Sequence, residues 1–144
     1  MTHSLSIHRF RLPILLAFTP LLLGHGESGC GCSGEEAKIE FGPPTETVCP
    51  PEGTQLTYDN FGEAFMEDYC LRCHSIDVEG ADRQGAPSDH NFDTRLEVLA
   101  LKEHIDWMTG AGPGAVNEQM PPSGNAPSLE ERTQLSTWLA CDTF

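Results

Sequence analysis

The chain has 144 residues and a formal net charge of −14, with 22 Asp/Glu against eight Lys/Arg. That length is one domain's worth. The acidic excess argues against nucleic-acid binding, where affinity comes from Lys and Arg neutralising phosphates, and favours steering toward partner proteins with a basic docking surface.

In chain order, a polar start carrying Arg9 and Arg11 gives way to an uncharged apolar run, LPILLAFTPLLL, over 12–23. A basic start followed by such a run reads as a secretory signal peptide, assigned to residues 1–29. The run is shorter than the roughly 20 apolar residues of a transmembrane helix, and Pro13 and Pro20 interrupt it. Small residues gather ahead of Cys30, in a pattern similar to a bacterial lipoprotein signal. Cys30 is therefore a candidate lipid anchor, with Cys32 as the alternative, although Glu27 stands where that pattern has an aliphatic residue. The expected location is the periplasm or the outer surface of a bacterial membrane.

Residues 30–53 are rich in Gly, Pro, Glu and Thr and show no apolar periodicity. They read as a flexible tether. The folded domain is expected over 54–144, where three helices are legible. The first follows Thr57, with Tyr58, Phe61, Phe65 and Tyr69 at three- and four-residue steps. The second starts after Asp93 or Thr94 and runs unbroken through RLEVLALKEHIDWM toward Gly110. The third begins at a capping box, Ser128 with Glu131, and carries Leu129, Leu135, Trp138 and Leu139 on one stripe. Residues 75–92 and 110–127 read as long loops, and no alternating strand pattern appears. The expectation is an all-α domain.

The motif with chemical content is Cys70-Leu71-Arg72-Cys73-His74. Two cysteines one helical turn apart can present sulfurs to the two vinyl groups of a haem, and the next histidine can bind its iron. One covalent haem c is thus expected at Cys70, Cys73 and His74. Two other readings remain. A dithiol redox pair prefers a strand–turn–helix setting. A structural zinc site needs two more ligands, which Cys30 and Cys32 could supply. For the second axial ligand the first candidate is Met120, in Gln119-Met120-Pro121-Pro122, a stiff loop between the second and third helices. Met108 is the second candidate, followed by His90 and His104. A His/Met pair is the electron-transfer arrangement.

With these residues the chain resembles a class I c-type cytochrome over 54–144. Gly62, eight residues before Cys70, matches the small residue at which that family's first and last helices cross. Trp138 resembles the aromatic partner at the crossing. Met120-Pro121-Pro122 resembles the methionine loop, and Gly85-Ala86-Pro87 resembles the segment whose backbone carbonyl holds the haem histidine. Met66, where the family often has an aromatic, departs from the pattern.

The resemblance implies three main helices around one haem, with long loops. It also implies an exported outer-sphere electron carrier rather than an enzyme, working with redox partner proteins. Alternatives are a haem protein with an open sixth position, such as a small peroxidase or gas sensor, and a fixed electron-transfer subunit of a dehydrogenase or oxidase. Crossing first and last helices would also bring Cys49 near Cys141, and an oxidising compartment favours a disulfide between them. Cys49 could otherwise be free, or pair with Cys30 or Cys32.

Overall fold

The computed structural model describes residues 40–142. The expected signal peptide, the candidate anchors Cys30 and Cys32 and the first part of the expected tether lie outside the described residues. Among those described, the structure is helical, and the only pairing of extended backbone is a single antiparallel bridge between Ala111 and Val116.

The first helix starts after Thr57, as expected, and is capped there. Thr57 Oγ1 accepts from Asn60 N at 3.2 Å, and Thr57 N donates to Asn60 Oδ1 at 2.7 Å. Its opening turn, Tyr58–Gly62, is a π-turn, with Gly62 N donating to Thr57 O at 3.1 Å. Helix α1, Glu63–Tyr69, continues from it and is followed by the short α2, Leu71–His74. The aromatic face that periodicity suggested is real. Phe61 meets Phe65 at a tilt, Phe65 meets Tyr69 edge to face, and Phe61 meets Trp138 edge-on at 6.1 Å.

The second helix departs from expectation. It is two helices, α3 (Arg95–Ala100) and α4 (Lys102–Thr109), joined at Leu101 with φ −118° and ψ 17°. Apolar spacing did not reveal the break because Val98 and Leu99 before it and Ile105 and Met108 after it are all buried. Thr94 caps α3 through a box with Glu97. Across the break, Lys102 Nζ donates to the carbonyls of Leu139 and Asp142, where a cation suits the carbonyl-rich end of the last helix.

Helix α5, Leu129–Cys141, begins at the Ser128–Glu131 capping box as expected. It supplies the centre of the core, with Leu135 and Trp138 fully buried against Phe65, Met66, Phe92, Val98 and Ile105. Trp138 lies over Gly62, where an added Cβ would come 2.6 Å from the indole ring.

The expected tether is corrected over 40–53: these residues are built into the domain. Thr45 is buried and its hydroxyl donates to the Asp106 carboxylate of α4 at 2.8 Å. Asn117 Nδ2 donates to Pro43 O at 2.9 Å. Gly42 sits where any side chain would strike Asn117 and the Trp107 carbonyl. This docking is polar and close-packed, so hydrophobic periodicity could not announce it. Cys49 is bonded to Cys141 at the end of α5, with Cα atoms 4.7 Å apart.

Candidate functional site

The motif forms one tight helical turn. Cys70 N donates to Met66 O, ending α1, and Cys70 O accepts from both Cys73 N and His74 N at 3.0 and 2.9 Å. The two thiols are free, Cys73 is buried and Cys70 partly so. Burial pushes the Cys70 thiol up to about 12, against the smaller pull of the Arg72 guanidinium. A redox dithiol is activated by the opposite shift, so the environment of Cys70 speaks against that reading. No group of three or more His, Cys, Asp or Glu side chains is gathered to hold a metal among the described residues.

His74 is oriented by its neighbours. Its Nδ1 lies 2.9 Å from the His90 carbonyl, and its ring stacks on Phe92 at 4.6 Å and 17°. Phe92 N returns a hydrogen bond to His74 O at 2.8 Å. Burial lowers the His74 pKa, the His90 carbonyl opposing the shift. The carbonyl that holds His74 was expected within Gly85–Pro87, and this is corrected to His90. The buried Arg83 guanidinium takes the carbonyls of Ala86 and Pro87 at 3.2 and 2.6 Å, together with Ser75 O at 2.7 Å. The same guanidinium also reaches His90 O at 3.2 Å, so the acceptor facing His74 is itself fixed. Asp93 steadies the exit from α2, accepting from Ser75 Oγ at 2.6 Å and Ile76 N at 2.8 Å.

Comparison with protein-family models, curated proteins and solved structures finds no match for this chain.

The loop bearing Met120 is tied to the motif and to the core. Arg72, between the two motif cysteines, donates to the Ser123 carbonyl, three residues beyond Met120. Met120 N donates to Met108 O at 2.9 Å, and Met120 O accepts from Arg132 Nη1 at 3.1 Å. The Met120–Pro121 peptide is cis. Met120 is half-buried, while Met108 is buried in α4 and Met66 in α1. His90 and His104 face each other, with His90 Nε2 3.5 Å from His104 Nδ1.

Sequence reasoning missed two buried arginines. Arg132 is 3% exposed and gathers four carbonyls, those of Pro127, Thr109, Asn117 and Met120, between 2.8 and 3.2 Å. Burial lowers its pKa, with the Glu118 charge opposing. A signal existed, since Arg132 falls three residues from both Leu129 and Leu135, in the apolar stripe of α5. Arg83 carried no such sign, because its partners are backbone atoms of an irregular loop.

Proposed function

We propose that the chain is an exported, mono-haem c-type cytochrome of the class I kind, which carries electrons without catalysing a reaction of its own. The observation that carries the reading is the state of His74. With Nδ1 bonded to the His90 carbonyl, its Nε2 is the nitrogen left for iron, and metal-binding histidines are ordinarily held in this way. The donor set fits the group. Cys70 and Cys73 are free thiols one turn apart, chemically suited to thioether formation. Next to His90, Asn91 keeps a buried side-chain oxygen with no protein partner.

When bound, haem supplies reversible one-electron chemistry at iron. Everything else is the work of the chain. His74 and Met120 are the residues that would hold the iron, the Met thioether favouring the ferrous state. Arg83 and the His90 carbonyl fix the imidazole plane. Arg132 and Met108 O fix the backbone of Met120, and Arg72 holds its loop against the motif. Phe92 packs against one face of the imidazole. The surface is strongly acidic and suits a basic redox partner, and the leader implies the periplasm or the outer face of a membrane, with Cys30 as its candidate lipid anchor.

Expression with a cytochrome c maturation system tests the reading. Haem should remain on the polypeptide after acid–acetone extraction and be lost in Cys70→Ala/Cys73→Ala. Extractable haem, or none, would overturn it. A far-red Met–Fe(III) band is expected in the oxidised protein, and its absence would move the reading to an open sixth position.

A further inference from the structure

We infer that His90 and His104 form a surface site for a borderline divalent metal ion, of the Zn(II), Ni(II) or Cu(II) class. Asp89 Oδ1 lies 2.9 Å from His90 Nδ1. A carboxylate there holds the proton on Nδ1 and leaves a lone pair on Nε2, which is how ligating histidines are ordinarily prepared. That Nε2 faces His104 Nδ1 at 3.5 Å. The ring centroids are 5.6 Å apart and the rings 20° from parallel, so the two nitrogens lie between the rings. A separation of 3.5 Å is long for a hydrogen bond. It matches the spread of two nitrogens on one tetrahedral ion, about 3.3–3.4 Å for bonds of about 2.0–2.1 Å.

Both ligands are held from behind. The backbone of His90 is fixed at its carbonyl by His74 and Arg83 and at its nitrogen by Pro87 O. His104 stands on α4 with its ring against Phe41 at 4.6 Å and Trp107 at 5.9 Å. Phe41 belongs to the segment that composition assigned to the tether, so docking of that segment completes one wall of the site. Imidazole nitrogens suit zinc, copper and nickel. With two protein ligands, water fills the remaining positions, and the net charge of −14 raises the local cation concentration. The site does not depend on the haem reading.

Titration of the full chain with Ni(II) or Zn(II) by calorimetry tests this, with Cu(II) electron paramagnetic resonance in parallel. One equivalent should bind tightly enough to show a break, with nitrogen hyperfine structure from two imidazoles on copper. His104→Gln and His90→Gln, each checked for unchanged helix content, should each weaken that binding at least tenfold. The second variant keeps the carbonyl facing His74. His3, His8, His25, Cys30, Cys32 and, in chain without haem, Cys70, Cys73 and His74 offer competing ligands. Affinity unchanged in both variants would assign binding to those and overturn the proposal. Copper spectra of the unaltered chain lacking two-nitrogen hyperfine structure would do the same, even if a variant failed to fold.

Discussion

Gly62 and Trp138 touch so closely that residue 62 has no room for a side chain. A Cβ there would lie 2.6 Å from one indole carbon and 2.7 Å from the next. The ring cannot retreat, because Trp138 is fully buried, its Nε1 donates to Asp142 Oδ2 at 3.0 Å, and Phe61 and Tyr58 abut it. This contact sets how closely the first and last helices approach. Gly62→Ala should therefore lower stability by about 1–3 kcal/mol, the usual range for overpacking a core. Urea unfolding followed by circular dichroism measures it. A neutral result would mean that the helices separate freely at this point.

Arg132 offers a second test. Arg132→Met keeps the stem but removes the donors to Thr109, Asn117 and Met120 carbonyls. Buried acceptors stripped of a partner cost about 1–3 kcal/mol each. A loss of at least about 2 kcal/mol is expected, with faster amide hydrogen exchange over 117–124. Unchanged exchange in that loop would show that Arg132 does not hold it.

For the proposed haem, Met120→Ala should abolish the far-red Met–Fe(III) band, admit imidazole or carbon monoxide, and lower the reduction potential. Met108→Ala should cost stability through its cavity, by about 2–5 kcal/mol, while leaving the band in place. The reverse pattern would transfer the ligand role to Met108.

The Cys49–Cys141 bond closes a separation of 92 residues. The chain-entropy model assigns a loop of that size roughly 4–5 kcal/mol. Replacing both cysteines by serine should lower stability by up to that amount. Peptide mapping without reductant should recover the two linked, and free thiols at both positions would remove the staple from the account.

Glu131 ties α5 to α1. Its carboxylate is held below its usual range by the Ser128 hydroxyl first, then by the Ser128 backbone N–H and the Tyr69 hydroxyl. A depressed carboxylate stabilises the fold above its unfolded value and loses that contribution as pH falls through the folded value. Stability should thus decline as pH drops below about 4.5, the ordinary value. Glu131→Gln should flatten that part of the acid limb, as read by unfolding midpoints from pH 6 to pH 3. The Tyr69 hydroxyl, raised chiefly by its hydrogen bond to Glu131, should titrate closer to its ordinary value in the same variant.

By itself the sequence determined what depends on neighbours along the chain. Ser128 with Glu131 marks the start of the last helix, and Thr57 and the Asp93–Thr94 step place the other two starts, because capping is a three-residue affair. The motif turn follows from a spacing that one helical turn imposes. The contact of Gly62 with Trp138 was legible through resemblance, and so was the Cys49–Cys141 pairing. Tertiary structure alone decided the rest. Leu101 divides the second helix without disturbing the apolar pattern on either side. Residues 40–53 join the domain through Thr45, Asp106 and Asn117, a polar fit invisible to periodicity. His90, rather than a residue of Gly85–Pro87, supplies the carbonyl facing His74. Backbone carbonyls are the same in every residue, so which of them faces a given side chain is settled by the folded path of the chain.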